Sequence, residues 1–314
     1  MRNKTYYAPE RLDDRGVIDF IHMASGLFSC EGKRVSDIKF DLTRVSKVNI
    51  LGLLLLYKFV EYSSTKNCFD FPMLHYNKYL ETELKKYGFW NMLNDYMRNK
   101  RNIDYDDLDY TFKEDFFVAP IVLDRGKDFS SYKLRDVLYP KVASYYSYNH
   151  KIETIIFDCI SEVIINFWEH AVDDTQSIIV AYGNKNKVEI ACADTGNGIY
   201  STLSPVLKPG MKKEDVLLKA FSKGVTSKKE SNHMGYGLWI LNEMVSSSGG
   251  KLQLFSEGAF VYNKSGKITK SICSYWKGTI IYISLPLNNP KTLIDLDGLN
   301  KEKLFKIKIN FNNE

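Results

Sequence analysis

The sequence predicts two mixed α and β units in tandem, a small α/β unit over residues 1–98 and an α+β unit over residues 129–290. Three observations predict this. Strand-like and helix-like segments alternate between residues 38 and 93, the pattern of an α/β layer. A long helical period at 157–172 precedes separated apolar strands, "KVEIACA" (187–193) and "GTIIYISLPL" (278–287). The stretch between the two regions, 99–128, is polar and has no clear period, so it reads as a linker with some local order. A chain of 314 residues accommodates two domains of ordinary size.

Each element has its own justification. "IKFDL" (38–42) alternates as a strand, and "LGLLLLYKFVEYSS" (51–64) reads as a helix with a mostly buried face. "CFDFPMLHY" (68–76) is strand-like, and "KYLETELKKYGFWNML" (78–93) has helical spacing. In the second unit, "SSYKLRDVLYPKVASYY" (130–146) and "FDCISEVIINFWEHAV" (157–172) are helical, and "GYGLWILNEMV" (235–245) opens a further helix. The tail, 291–314, is charged, and "LFKIKINF" (304–311) alternates like an edge strand.

Composition excludes several classes. Hydrophobic residues make up 44% and charged residues 26%, as in globular proteins with a sizeable core. With 21 Tyr and 18 Phe, aromatic stripes read first as core. A net charge of +5 on this length gives no argument for nucleic acid. The five cysteines are scattered without a C-x-x-C pair, which argues against zinc and against a disulfide framework. "ILGLLLLY" (50–57) is too short to span a bilayer, and the opening residues have no apolar signal core. The expectation is a cytoplasmic protein without a membrane segment.

The chemistry concentrates in the second unit. Glu162 and Asn166 are four residues apart, and Glu169 lies seven beyond Glu162, so all three share one helix face. Such a face is either solvated or a metal and general-base face. Asn can offer a neutral oxygen to Mg²⁺ beside phosphates, and Glu can accept a proton from an attacking water. "DTGNGI" (194–199) follows the "KVEIACA" strand; alone it reads as a turn. Gly235 and Gly237 precede a helix whose N-terminus offers free N–H groups and partial positive charge. Lys223, Lys228 and Lys229 lie upstream in a Gly/Ser/Thr-rich stretch that reads either as a mobile surface loop or as a cover over a nucleotide. The last arginine is Arg135.

The order of these motifs is more specific than any one of them. E-x-x-x-N on a helix, D-x-G-x-G after a strand, a lysine-bearing loop and G-x-G-L opening a helix together resemble the GHKL ATP-binding family of gyrase, MutL, heat-shock chaperones, histidine kinases and anti-sigma-factor kinases. The resemblance covers about residues 150–287 and implies the Bergerat-type fold, a two-layer α+β sandwich. It implies that Asp194 accepts a hydrogen bond from the adenine amino group while Gly196 and Gly198 shape the pocket floor. It implies Asn166 as the Mg²⁺ ligand, Glu162 as general base, and Lys223 or Lys228 with Gly235, Tyr236, Gly237 and Leu238 toward the phosphates. Thr279 joins the ATP-binding set. The pattern Glu162, Asn166, His170, Ala171 is nearest to anti-sigma serine kinases, "AFSKGVTSK" (220–228) looks like a histidine-kinase motif, and no transducer domain is expected after Leu287.

The first unit resembles the STAS fold of anti-sigma-factor antagonists through "DLTRVSKVNILGLLLLYKF" (41–59). Ile50 stands where that family carries its phosphorylated serine, so a phosphorylation cycle at this turn is not expected. The implied function is an ATP-binding regulatory protein in which Mg-ATP, under a lysine-rich lid, controls docking of the units, of a protein partner or of a homodimer. Slow hydrolysis is compatible with Glu162. Two alternatives stay open, a serine or histidine protein kinase acting on a separate partner and a non-catalytic ATP-dependent binding module.

Overall fold

The computed structural model describes residues 4–28, 38–65, 73–99, 108–111, 116–123, 136, 139–147, 149–170, 177–227 and 235–288. The expected tail strand at 304–311 and Lys228 lie outside these residues.

The N-terminal unit is built on a parallel sheet of order β1-β3-β5, with β1 at Lys4–Tyr7, β3 at Ile38–Leu42 and β5 at Met73–Tyr76. Helix α1 (Val17–Phe28) connects β1 to β3, and α2 (Ile50–Thr65) connects β3 to β5. A two-stranded parallel ribbon, β2 (Arg11–Leu12) with β4 (Lys47–Val48), lies beside them. Tyr6 and Phe40 turn inward onto Phe59 of α2, which also meets Phe20 of α1 edge-on. The expected helix over 78–93 is two helices, α3 (Lys78–Lys86) and α4 (Phe89–Asn99). Gly88 breaks them at φ 74°, a left-handed conformation that glycine adopts without strain.

The second unit centres on a seven-stranded antiparallel sheet of order β11-β10-β9-β12-β8-β7-β6. Its strands are β6 (Phe116–Leu123), β7 (Ser177–Gly183), β8 (Lys187–Ala193), β9 (Lys251–Ser256), β10 (Ala259–Lys264), β11 (Lys267–Ile272) and β12 (Thr279–Pro286). β6 falls inside the stretch read as a linker. It is eight residues of almost wholly buried "FFVAPIVL", paired antiparallel with β7. One face carries α5 (Tyr139–Tyr145), α6 (His150–His170), the short α7 (Ile199–Leu203) and α8 (Lys213–Lys219), and α9 (Gly237–Ser247).

Strand parity sorts the core. Val188, Ile190 and Cys192 of β8 pack with Ile155, Cys159 and Val163 of α6 and with α9. Ala191 and Ala193, with Ile178, Val180 and Ile280 of the neighbouring strands, face the other way and join a single core with α1 and α2. The molecule therefore has a third layer. The second unit is the expected helix-on-sheet sandwich, and the N-terminal unit covers the back of its sheet rather than merely preceding it in the chain. A sheet covered on both faces explains why β7 and β12 read as near-continuous apolar runs.

Helix α2 shows the same fact from the other side. Residues 50–64 are all buried, not on one face only. The helix lies between the small parallel sheet, through Phe59 on Tyr6 and Phe40, and strands β7 and β8. Even Lys58 is 0% exposed and pairs with the buried Glu61 one turn on. Polar contacts fix the junction. Asp14 pairs with Lys251, and its carbonyl accepts from Gln253 Nε2 at 2.9 Å. Asn49 caps α2, accepting from Gly52 N at 3.2 Å, and donates to Asp14 Oδ1 at 3.2 Å. Among the described residues, no helix is long and apolar enough to cross a membrane.

Candidate functional site

Asp194 continues the parity of Val188, Ile190 and Cys192, so its side chain leaves the sheet on the α6 side. It is 1% exposed. Gly196 N donates to its Oδ1 at 2.8 Å and Thr279 N to its Oδ2 at 3.2 Å. Its backbone N–H donates to Thr279 O at 3.0 Å. A carboxylate so buried is compensated by these donors, and its orientation is set before any ligand arrives. Gly278, at φ 87°, presses on it; a Cβ there would fall 2.2 Å from Asp194 Oδ1.

Glu162 and Asn166 extend from α6 toward the N-terminus of α9. Asn166 Nδ2 donates to Glu162 O at 2.7 Å. Gly237, the first residue of α9, closes the approach, because a Cβ there would lie 2.7 Å from Asn166 Nδ2 and 2.8 Å from Glu162 Oε2. An added Cβ would therefore push the ends of the Asn166 and Glu162 side chains out of their present positions. Burial, followed by the charges of Asp158 and Glu162, pushes the Cys159 thiol well above its ordinary range, so this residue is an inert packing group below the site. The segment before α9 is tied at its base, where Gly224 N donates to Gly235 O at 3.1 Å. Gly235 adopts φ 70°, and a Cβ there would meet the Val225 carbonyl carbon at 2.7 Å.

These groups line one cleft that opens to solvent. Glu162, Asn166, Asp194, Gly198, Gly235, Tyr236, Gly237, Leu238 and Thr279 all contribute to its wall. Two expected residues do not. Gly196 acts behind the wall by donating to Asp194. Lys223 places its ammonium over the rings of Tyr236 (5.7 Å) and Trp239 (5.0 Å), drawn to their π faces rather than into the cleft. Lys228 is not among the described residues.

Sequence reasoning missed the apolar and small polar part of the wall. Ile199, Thr202 and Leu203 come from α7, Ile165 and Phe167 from α6, and Leu254 and Ile281 from the sheet. Ile281 was legible by parity, two residues after Thr279 on β12. It also missed the groups that brace the "DTGNGI" loop. Ser256 Oγ accepts from Ile199 N at 2.8 Å, and Glu257 Oε2 accepts from Ser201 N at 2.8 Å. The only signal for these was the "SEG" turn at 256–258.

The cleft has two chemically distinct ends. At one end a fixed, buried carboxylate sits among apolar side chains, a site for a flat heterocycle bearing an N–H donor. At the other, α9 points its free N–H groups at a Glu/Asn pair, a site for an anion and its counter-cation. Among the described residues, no cluster of three or more His, Cys, Asp or Glu side chains could hold a metal by itself. A cation here would rest on Asn166 together with the ligand's own oxygens, a donor set that suits Mg²⁺.

Residues 152–289 match the family model for histidine kinase-, DNA gyrase B- and HSP90-like ATPases. The matched segment runs from α6 to the residues just after β12 and so contains the whole cleft. This supports an ATP-binding domain of the GHKL type in the second unit. No curated protein matches the chain.

Proposed function

We propose that the protein is a GHKL-type regulator in which Mg-ATP occupies this cleft and controls how the N-terminal layer, a second chain or another protein docks. The observation that carries the reading is convergence. Asp194, the Glu162/Asn166 pair and the N-terminus of α9 come from three separate elements, yet all face one cleft.

The adenine amino group donates to Asp194, whose remaining lone-pair directions are set by Gly196 N and Thr279 N. The ring lies among Ile199, Leu203, Leu254 and Ile281. The phosphates face the N–H groups at the start of α9 and the backbone near Gly235. With Nδ2 of Asn166 engaged by the helix backbone, its amide oxygen is the end offered to a cation. Bound there, Mg²⁺ would neutralise phosphate charge. Glu162 accepts a proton from a water that attacks the γ-phosphorus; the bond to the β–γ bridging oxygen breaks, giving ADP and phosphate. The backbone dipoles at the start of α9 carry the developing charge, to which a bound cation would add, since the sequence has no arginine after Arg135. Turnover is expected to be slow.

We read the N-terminal unit as STAS-like. Its parallel sheet and the helix opening at Ile50 support this. Ile50 is 1% exposed and has no hydroxyl, so transfer of phosphate to this turn is not expected. The test is intact mass after incubation with Mg-ATP, together with ATP titration with and without magnesium. The reading expects magnesium-dependent binding and no added phosphate. A phosphopeptide from residues 41–59 would overturn the regulatory reading in favour of a kinase acting on its own N-terminal unit.

A further inference from the structure

One residue touches both the adenine end of the cleft and the N-terminal unit. Trp276 sits in the loop between β11 and β12 and is 1% exposed. Its indole N–H donates to Asp194 O at 3.0 Å. Its own carbonyl accepts from Glu257 N at 3.2 Å. Glu257 holds the far end of the "DTGNGI" loop through Ser201, and Gly198 lies so close that a Cβ would fall 2.3 Å from Glu257 Cγ. Both ends of the loop therefore hang on Trp276, Asp194 directly and Gly198–Ser201 through Glu257.

The opposite side of the same loop is held by the N-terminal unit. The Trp276 ring packs edge-on against Phe28 at the end of α1, with centroids 5.3 Å apart at 74°. Phe28 also meets Tyr275 at 5.9 Å and Tyr62 of α2 at 4.8 Å. Ser274 Oγ is 2.8 Å from His22 Nδ1, and the Lys277 ammonium lies 5.7 Å from the centroid of the Tyr62 ring. The segment 274–277 is thus gripped by α1 and α2 on one side and holds the nucleotide loop on the other.

We propose that Trp276 is a positioning residue that couples seating of the N-terminal unit, through Phe28, to the adenine end of the cleft. The proposal rests on the ATP reading above and adds a direction and a residue to it. A loosened Phe28 lets the indole tilt, the bond to Asp194 O lengthens, and the carboxylate loses its fixed aim. By linkage the effect is reciprocal, so ATP tightens the seating of α1 by the same factor.

The experiment uses the full chain. ATP binding is measured calorimetrically in magnesium for wild type, Trp276→Phe, Phe28→Ala, Phe28→Leu and the double variant Trp276→Phe/Phe28→Ala. Trp276→Phe keeps an aromatic ring and removes the N–H. In parallel, protein labelled with 5-fluorotryptophan is followed by ¹⁹F NMR, with the Trp276 resonance identified by its absence from Trp276→Phe. The expected result is that ATP shifts the Trp276 resonance and that Trp276→Phe and Phe28→Ala each weaken ATP roughly three- to tenfold, the range of one buried hydrogen bond. Phe28→Leu recovers most of the loss, and the double variant loses clearly less affinity than the two single losses added together, because the two changes act on one element; full additivity would mark them as independent and overturn the coupling. If wild type binds ATP while Phe28→Ala binds it equally well and the Trp276 resonance does not move, the coupling is wrong and the ATP reading stands. If wild type binds no ATP, both fall. Should Trp276→Phe fail to fold, the Phe28 pair decides alone: equal ATP affinity in both and in wild type overturns the coupling.

Discussion

Gly237 stands against Asn166 so closely that a single added methyl group would lie 2.7 Å from the amide nitrogen. A side chain at this position would displace the ends of Asn166 and Glu162 at the mouth of the cleft. Gly237→Ala should therefore weaken Mg-ATP binding by at least about tenfold, because the methyl pushes α9's N–H groups away from the phosphates or displaces Asn166. The obstruction lies at the wall of an open cleft, so the melting temperature without nucleotide should move little. Calorimetry and a thermal melt on the same preparation check both parts. Unchanged ATP affinity would show that the phosphates do not lie at this helix end.

Glu162 and Asn166 should separate turnover from binding. Glu162→Gln keeps the shape and removes the base, so ATP binding should survive while phosphate release falls by roughly 10²–10⁴. Asn166→Ala should weaken ATP binding in magnesium, and the deficit should shrink when magnesium is removed. Titrations with and without the metal, paired with a phosphate-release assay, decide the matter. A Glu162→Gln protein that hydrolyses at the wild-type rate would remove Glu162 from the chemistry and leave a binding module.

Cys273 reports on the junction between the units. Burial raises its thiol from the ordinary 9.0 to about 11. At pH 8 it should hold about a hundredfold less thiolate than a free cysteine, so iodoacetamide should label it slowly. The sign for stability follows. A thiol kept protonated only in the folded chain leaves stability intact below pH 9.0, and that contribution is lost as pH rises toward about 11. Phe28→Ala should speed labelling at pH 8, read by peptide mass. Wild-type labelling at the rate of a free thiol would show that the segment 273–277 is not held as described.

Much of this arrangement was legible in the residues, and the failures have physical causes. The nucleotide-type unit could be read because its motifs are local: a four-residue spacing on α6, a glycine pair after β8, another before α9. Strand β6 was missed because its neighbours in sequence are polar, and only its pairing with β7 reveals "FFVAPIVL" as an edge strand. Helix α2 was expected to have one buried face, and nothing in its spacing shows that a second layer waits on the other side. The hint was the all-round apolarity of "ILGLLLLY" together with the unbroken apolar run in β12, both signatures of burial on two faces. Trp276 and Glu257 could not be read as neighbours of the site, because their hydrogen bonds run to the backbone of Asp194 and to Ser201, contacts that leave no spacing in the sequence.

The central claim is that ATP sits with its adenine on Asp194, and one titration tests it most directly: ATP, and separately GTP, into wild type and Asp194→Asn in magnesium. Asn keeps the size of Asp but must turn an NH₂ toward the donating N–H of either Gly196 or Thr279, so it loses both the charge and the fixed orientation. The account predicts saturable ATP binding to wild type, preference for ATP over GTP, and a loss of roughly ten- to a hundredfold in Asp194→Asn, the scale of one charge-assisted hydrogen bond. Equal ATP affinity in wild type and Asp194→Asn, or no preference between the two nucleotides in wild type, would contradict it.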